Sequence, residues 1–561
     1  MELLLLFLGL FVFLLIKGFV DRNKAKARLI EKLMKSWGAV PEHEYSEEKY
    51  RSREYYYEHQ YKNAREGEEF LDEITWHDLN MDYMFSLLDA NCSAMGEEYL
   101  WAILHHLQRR PEQLEEREHI IRYFEENPEV RIKIQTALSM IGRNRKTSVY
   151  EFMAQMDNVK RESNLKHYLM LLVMAGGAII TPFHGAVGGG ILIVSAVVNI
   201  ILYFVRKGET SLYFTAMSYV IRMLHHAKEL SELKEEGLAG YAEKLHSHIK
   251  SLQSLQKGAS VVAAQSVSGD MMQLFLDYFR MLFHTDLIKF NRMLDSYFTN
   301  KNIIIEVFET IGFLDAMCAI ASFRNMVPYY TTPEFTSGKR ILAEKLYHPF
   351  LEKPVPASID TEASVLVTGS NASGKSTFLK ACALNTILAQ TVHTVCAKSY
   401  RASYFRVMSS MALADDLLGG ESYYIVEIRS LKRILSAITE KDTPVLCFVD
   451  EVLRGTNTVE RIAASARILY SIAKQNALMF AATHDIELTY MLEDVFRNYH
   501  FEEQIHENEI CFDYQLREGR ATSQNAIRLL ALLGYPEEII LSAGETATIF
   551  LETGEWRKIT E

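Results

Sequence analysis

Cysteine and net positive charge are both scarce in this chain, and each shortage excludes a class of protein. The six cysteines among 561 residues are scattered and form no Cys-x-x-Cys pair, which argues against a disulfide framework or a zinc site and indicates reduced, buried thiols. The formal net charge is −12, so we do not expect a protein that coats nucleic acid non-specifically, although a local basic patch is compatible with this charge. The length predicts roughly two to four structural units.

Charge is also missing from an apolar segment near the N-terminus. Residues 3–20 contain one charged residue, Lys17, whose side chain can reach the interface of a bilayer that about 20 residues would cross. No basic residues precede the segment and no small-residue cleavage site follows it, so we expect an uncleaved anchor over residues 1–20 in preference to a removed signal peptide. The basic residues from Arg22 to Lys35 predict that the chain beyond it is cytoplasmic.

A second segment, residues 168–205, has no Asp, Glu, Lys or Arg and is about twice as long as one crossing of a ~30 Å hydrocarbon core requires. Residues 181–185 (TPFHG) interrupt it and predict a tight turn between two antiparallel helices. Basic residues on both flanks predict that both ends are cytoplasmic. We therefore expect a transmembrane helical hairpin over residues 167–206, with His184 at headgroup level; the alternative is a buried helix pair in a soluble domain.

The C-terminal part contains a glycine-rich motif between an apolar run with strand character and a helical run. It reads Gly369-Ser370-Asn371-Ala372-Ser373-Gly374-Lys375-Ser376-Thr377. This fits the phosphate-binding loop G-x-x-x-x-G-K-[ST], in which backbone N–H groups curl around a polyphosphate. Lys375 would reach the β- and γ-phosphates and the hydroxyl of Ser376 would ligate Mg²⁺. The sequence therefore predicts a nucleotide site.

Two further apolar strands end in residues that suit phosphate chemistry. The first, residues 445–449, is followed by Asp450 and Glu451; in P-loop enzymes the first carboxylate helps to hold Mg²⁺ and an adjacent glutamate can polarise the attacking water. The second, residues 477–483, is followed by His484, which we expect to report the γ-phosphate rather than to be merely structural. Between these motifs and the loop, Gly419-Gly420 and Ser422 open a helix whose N-terminus can accept a phosphate.

Together these motifs resemble the MutS family of ABC-type ATPases. The residues that carry the resemblance are Gly369 to Thr377, Leu388-Ala389-Gln390, Ser422 to Ile428, Asp450-Glu451 with Arg454-Gly455-Thr456, Ala482-Thr483-His484 with Glu487-Leu488-Thr489, Phe512 to Ser523, and Leu533 to Glu538. Upstream, residues 87–100 resemble the opening of the family's helical core, and His348-Pro349 the motif that leads into its ATPase domain. The resemblance covers about residues 68–166 and 210–545.

The resemblance implies an ATPase that uses ATP and Mg²⁺. It implies that Lys375 and Ser376 hold phosphates and metal, that Asp450 supports the metal, and that Glu451 is the base. It further implies the following roles: Asn371 as the P-loop asparagine, His484 as a switch, Ser422 as a contact to the ATP of a second subunit, and Tyr514 as the ring that stacks on adenine. The departures (Ala372-Ser373, Tyr423 and Asn457) remove no phosphate or metal ligand, so we expect hydrolysis to persist.

The expected architecture is α + α/β: a helical MutS-like core interrupted by the hairpin and followed by a P-loop ATPase domain. The expected boundaries are 1–20 anchor, 21–67 juxtamembrane linker, 68–166 first part of the helical core, 167–206 hairpin, 207–335 second part or lever, and 336–561 ATPase domain. Nothing in the sequence resembles the family's mismatch-reading domain or a nuclease-like tail.

Three functions are compatible with these features. The first is a multi-pass cell-membrane protein with a cytoplasmic ATPase, working as a homodimer that couples ATP binding and hydrolysis to helical levers and acts on lipid, DNA near the membrane or another membrane protein. The second is a tethered MutS-like protein that binds mismatched or branched DNA. The third, a transporter-type ATPase, is disfavoured because no charged residue within the spans marks a pathway.

Overall fold

A computed structural model describes residues 2–42, 47–143, 148–256, 271–370, 373–411, 423–440, 443–454, 456–506, 509–521, 527, 530, 534–556 and 558–559. The chain divides into two compact units. The first, here the helical unit, combines Met1–Glu66, Phe85–Ile103 and Glu115–Met326. The second, here the sheet unit, combines Gly67–Met84, Leu104–Leu114 and Val327–Glu561. The expected mixture of a helical part and an α/β part is confirmed.

The helices, in chain order, are α1 (Glu2–Ser36), α2 (Glu47–Lys62), α3 (Glu73–Asp78), α4 (Met81–Leu88), α5 (Ala94–His105), α6 (Pro111–Glu126), α7 (Pro128–Ile141), α8 (Val149–Gln155), α9 (Leu165–Ile180), α10 (Gly185–Ser231), α11 (Ala239–Ser251), α12 (Gln253–Gln256), α13 (Met271–Phe283), α14 (Thr285–Thr299), α15 (Lys301–Met326), α16 (Lys375–Thr391), α17 (Tyr423–Glu440), α18 (Thr458–Ala473), α19 (Glu487–Met491) and α20 (Glu537–Thr553). Short 3₁₀ turns lie at Met156–Asn158 and Glu236–Leu238.

The strands are β1 (Glu69–Phe70), β2 (His106–Leu107), β3 (Glu334–Thr336), β4 (Ile341–Leu346), β5 (Ala357–Thr361), β6 (Ser364–Thr368), β7 (Ser399–Ser403), β8 (Arg406–Ser410), β9 (Val445–Asp450), β10 (Ala477–Thr483), β11 (Phe496–His500), β12 (Glu503–His506), β13 (Glu509–Phe512) and β14 (Arg517–Glu518).

Helix α15 is the central element of the helical unit. Most of its residues from Val307 onward are apolar, and those from Thr310 to Arg324 are buried. Asp315 is an acidic residue among these buried side chains. Its carboxylate accepts hydrogen bonds from the backbone N–H groups of Cys92 (3.0 Å) and Ser93 (2.7 Å), which lie just before α5. A buried carboxylate is tolerated there because its oxygens receive these donors.

Helix α2 lies within residues 21–67, the range expected to be a juxtamembrane linker. Arg53 and Tyr56 on this helix are each only 1% exposed. Arg53 pairs with Glu97 at 2.7 Å and Tyr56 donates to Glu309 at 3.2 Å. Helix α2 is therefore part of the helical unit's core rather than a spacer.

Helices α9 and α10 form a helical hairpin, joined by a turn at residues 181–184; its position in a membrane stays a prediction. A Cβ at Gly177 would lie 2.9 Å from the Ile191 side chain, and one at Gly188 would overlap the backbone of Thr181. These two glycines therefore allow the helices to approach closely. Helix α10 does not end where its apolar stretch ends but continues to Ser231, 47 residues in all.

Among the described residues, Gly185–Thr210 is the one helical stretch long and apolar enough to cross a membrane, and Leu165–Ile180 is a shorter apolar helix. The apolar side chains on this hairpin are largely exposed, for example Leu172 at 71%, Ile193 at 68% and Phe183 at 79%. The first apolar segment, residues 3–20, lies in α1, and its side chains up to residue 16 are outside the described part of the chain.

The sheet unit is built on a six-stranded sheet in the order β14-β11-β6-β10-β9-β8. All neighbours are parallel except β14, which pairs antiparallel with β11. Strands β6 and β10 are buried along their whole length, as continuous apolar strands covered on both faces should be. One covering layer contains Leu431 and Ile434 of α17 and Leu469 of α18. A second sheet has the order β3-β7-β4-β5.

Residues 67–84 and 104–114, within the range 68–166 expected to form the first part of the helical core, group with the sheet unit. The first of these segments makes polar contacts to strand β8 and the residue after it. Asp78 accepts from the Ser409 hydroxyl at 2.6 Å and from the Met411 N–H at 2.8 Å, and the Thr75 hydroxyl accepts from Ser409 N–H. Five cysteines are free thiols, and all but the first of them are buried: Cys92, Cys318, Cys382, Cys396 and Cys447.

Candidate functional site

The glycine-rich loop joins β6 to α16, as the sequence predicts. Gly369 and Gly374 have φ of +145° and +109°, which favours glycine at both positions. A Cβ at Gly369 would also lie 2.9 Å from the carbonyl oxygen of Phe501, and one at Gly374 would lie 3.3 Å from the ring of Tyr514. Asn371 and Ala372 lie outside the described residues.

Lys375 begins α16, and its ammonium is turned back into the loop. It donates to the carbonyl oxygens of Gly369 and Ser370, both at 2.7 Å. Burial lowers the pKa of Lys375 to about 8, while the carboxylates of Asp450 and Glu451 act in the opposite direction. A buried cation placed against two carboxylates and a loop of backbone amides is suited to neutralising the charge of a phosphate.

Asp450 ends β9 and lies against Ser376. Burial raises the pKa of its carboxyl group, and a hydrogen bond from Ser376 opposes this. Its Oδ1 atom is buried and makes no hydrogen bond to any described residue. A buried carboxylate oxygen without a donor, beside a serine hydroxyl, fits the oxygen ligand set that Mg²⁺ prefers. Ser376 and Asp450 would therefore hold the metal ion that the sequence implies.

Glu451 and His484 are brought together by the strand order. In the sheet, Ala482 of β10 is paired with Asp450 of β9, so the residues that follow these strands lie at the same edge. Nε2 of His484 lies 2.8 Å from Oε1 of Glu451 and 3.4 Å from the Lys375 ammonium. The second carboxylate oxygen of Glu451 pairs with Arg454 at 2.9 Å. The predicted base, switch histidine and P-loop lysine are thus within hydrogen-bond reach.

Next to the glycine-rich loop is a cavity of about 610 Å³. It is lined by Leu346, Tyr347, His348, Leu351, Lys353, Val355, Ala357, Ser370, Ser373, Gly374, Lys375, Ser376, Thr377, Phe378, Ala381, Glu451, Phe501 and Tyr514. This volume lies within the range of small-molecule and cofactor pockets. The predicted stacking residue Tyr514 is 46% exposed and has φ of +54°. Its ring lies beside the loop, next to Gly374, and lines the cavity.

Three groups at this site had no role assigned from the sequence. His348 lines the cavity, accepts a hydrogen bond from Phe350 N–H at 3.3 Å, and has its pKa lowered to about 4 by burial and by Lys380. Arg461 pairs with Asp485, next to His484, at 2.6 and 3.0 Å. Glu427 is buried on α17 and accepts a hydrogen bond from the Leu453 N–H. For Arg461, the one available signal in the sequence is that its partner Asp485 directly follows His484. Ser422 lies outside the described residues.

Comparison with known proteins agrees with this geometry. Residues 365–550 match the family model of MutS domain V. The match spans about a third of the chain. The matched region includes the glycine-rich loop from Gly369, the Asp450-Glu451 pair, His484 and Tyr514.

Curated proteins show the same relationship. The chain is 32% identical over 253 residues to the DNA mismatch repair protein MutS of Natronomonas pharaonis, covering 43% of this chain and 29% of that protein. It is 31% identical over 251 residues to MutS of Clostridium botulinum (42% and 26% covered) and 31% identical over 216 residues to MutS of Thermus thermophilus (38% and 26% covered). The chain thus matches less than a third of the length of these relatives.

Proposed function

We propose that this protein is a membrane-anchored MutS-type ATPase in which ATP binding and hydrolysis by two copies drive helical levers. The observation that carries the ATPase part is the meeting of Lys375, Asp450, Glu451 and His484 at the carboxyl edge of three adjacent parallel strands, next to a cavity of nucleotide size. A MutS domain V over these residues, and relatives named for mismatch repair, support the same assignment.

In the proposed reaction a water molecule attacks the γ-phosphorus, the bond to the bridging oxygen of the β-phosphate breaks, and ADP leaves with that electron pair. Glu451 takes the proton of the water. His484 holds Glu451 in orientation through the 2.8 Å contact and senses the γ-phosphate. Lys375 neutralises charge that develops on the transferred group. Mg²⁺, held by Ser376 and Asp450, would polarise the phosphoryl oxygens.

The lever part rests on α10. This helix runs without interruption from the hairpin turn to Ser231, about 70 Å at 1.5 Å per residue. Towards the end of its apolar stretch it is fixed to the start of α14: Lys207 pairs with Asp286 at 2.7 Å, and the Asn199 carbonyl lies 2.9 Å from Nε2 of His284. A displacement of the helical unit would therefore be carried into the hairpin.

The proposal of a membrane anchor rests on the exposed apolar side chains of the hairpin. In water, the large exposed apolar faces of α9 and α10 would be costly at about 25 cal/mol per Å², and they form a continuous patch of the kind that marks a membrane or protein contact. Basic residues flank the hairpin at Lys166 and Arg206. We expect the protein to stay in the membrane pellet after alkaline carbonate washing, and its release by that washing would contradict anchoring.

The alternative is a tethered protein that binds mismatched or branched DNA, which the names of the curated relatives favour. The two functions are separated by measuring the ATPase rate of the detergent-solubilised protein with duplex DNA, branched DNA or liposomes added. Stimulation by DNA at moderate salt would support the alternative. Indifference to DNA together with a response to liposomes would support the membrane lever.

A further inference from the structure

The loop that carries the proposed base has an unfavourable backbone. Glu451 and Leu453 have φ of +54° and +58°, in the left-handed region that residues other than glycine rarely adopt. Such a conformation persists only where surrounding contacts hold it. The loop is tied to β10 by the Glu451 N–H, which donates to the Ala482 carbonyl at 2.9 Å. It is tied to α18 by Ser465, which donates to the Val452 carbonyl at 3.3 Å.

The third tie is a buried carboxyl group from α17. Glu427 is 2% exposed, and its Oε1 atom accepts a hydrogen bond from the N–H of Leu453, one of the two left-handed residues. Burial raises the pKa of Glu427, and the backbone N–H groups of Leu453 and Arg454 act in the opposite direction. The Arg454 guanidinium in turn contacts Glu451 at 2.9 Å. A buried N–H group that loses its acceptor is costly, so Glu427 is well suited to fix this loop.

Helix α17 is itself anchored at its other end. Arg433 donates to the carbonyl of Ser409 at 2.5 Å and pairs with Asp72. Asp72 is the N-cap of α3 and accepts from the Thr75 N–H at 2.9 Å. One helix therefore connects the base-bearing loop, the edge strand β8 and the segment of chain that leads on into the helical unit.

We propose that Glu427 is a positioning residue, which sets the catalytic loop through Leu453 and Arg454 and makes hydrolysis depend on the placement of α17. This inference rests on the proposed ATPase function. It adds a link between the two subunits of the proposed dimer, because α17 begins directly after Ser422, the residue expected to contact the ATP of a second subunit. Seating of α17 on a partner's nucleotide would then be transmitted to Glu451 by a contact within this chain.

The test compares Glu427→Ala and Glu427→Gln in the full-length protein, with Ser430→Ala as the matched control. Ser430 is also buried on α17, and its hydroxyl makes no hydrogen bond to the described residues. We expect Glu427→Ala to lower kcat at least tenfold with the KM for ATP within twofold of wild type, because no nucleotide contact is removed. Glu427→Gln retains an acceptor oxygen and should recover at least a third of the activity. Ser430→Ala should match wild type.

A kcat within twofold of wild type in Glu427→Ala would overturn the proposal. So would equal losses in Glu427→Ala and Ser430→Ala, since that pattern would indicate a general packing defect. Failure of the proposed function is recognised separately: wild-type protein without measurable Mg²⁺-dependent hydrolysis would contradict the ATPase assignment itself. A fluorescent ATP analogue provides a binding readout, and we expect its affinity to be unchanged in the Glu427 variants.

Discussion

At the scale of single residues, the site is defined by which polar atoms have partners and which do not. The ammonium of Lys375 and the carboxylate of Glu451 contact named groups, whereas the buried Oδ1 of Asp450 receives no hydrogen bond from the residues that the structure describes. A buried unsatisfied oxygen is costly unless a ligand serves it. Our proposal gives the metal to Asp450 and the proton transfer to Glu451, and each role predicts a different kinetic signature.

Replacing Glu451 by Gln should remove the base and leave the shape of the site intact. We expect turnover to fall at least about 100-fold, as for loss of a general base, while the affinity for a fluorescent ATP analogue stays within about threefold of wild type. Glu460→Gln, an exposed glutamate in the first turn of α18, is the matched control and should hydrolyse ATP normally. Turnover near the wild-type rate in Glu451→Gln would remove Glu451 from the role of base.

Replacing Asp450 by Asn should weaken metal binding rather than proton transfer. Loss of the negative charge beside Ser376 should raise the Mg²⁺ concentration for half-maximal ATPase activity at least about tenfold, because Mg²⁺ prefers carboxylate oxygen. The measurement is a titration of ATPase rate with Mg²⁺ at saturating ATP. An unchanged Mg²⁺ requirement would contradict the assignment of Asp450 as a ligand.

His348 predicts a dependence of stability on pH. Its pKa is lowered from 6.5 to about 4, so between these values the unfolded chain binds a proton that the folded chain does not, and stability falls as pH falls from about 6.5 towards 4. His348→Asn keeps an acceptor for the Phe350 N–H without a titrating ring. Denaturant unfolding at pH 6.5 and 4.5 should show a smaller loss of stability in His348→Asn than in wild type or in His246→Asn, a surface control. Equal losses in all three proteins would contradict this prediction.

At the scale of elements, some glycines of the hairpin are required for close packing of its two helices and others are not. Gly188 and Gly189 are neighbours in α10, but a Cβ at Gly188 would overlap the Thr181 backbone and one at Gly189 would meet nothing within 4 Å. We expect Gly188→Ala to lower the midpoint of thermal unfolding in detergent. Gly189→Ala should leave it unchanged or raise it, because alanine favours a helix over glycine by up to about 1 kcal/mol. Equal effects of the two changes would contradict the packing of α9 on α10.

At the scale of the whole molecule, the proposed dimer predicts complementation between two inactive variants. Ser422→Arg should fail to serve the partner's ATP, and Glu451→Gln should fail to hydrolyse its own. In an equal mixture about half of the dimers pair the two variants, and each of these has one complete site of two, so about a quarter of wild-type activity should return. No recovery after subunit exchange would contradict composite sites; wild-type activity of Ser422→Arg alone would do so as well.

Much of the site follows from local patterns in the chain. The glycine-rich loop, the Asp450-Glu451 pair and His484 each come directly after an apolar strand, and a parallel sheet brings such positions to one edge whatever the details of packing. The hairpin is marked in the same way, by missing charge and a central turn. These features depend on short stretches of sequence whose backbone conformation and burial are set by their own composition.

Tertiary structure alone decided the remainder. The contact between Glu427 and Leu453 joins residues 26 apart in sequence, and the contact between Arg433 and Asp72 joins residues 361 apart. The inclusion of residues 67–84 in the sheet unit, the burial of α2 and the difference between Gly188 and Gly189 likewise depend on what packs against each segment. Such contacts form between surfaces that only the folded chain brings together, so composition and periodicity of one segment carry no information about its distant partner.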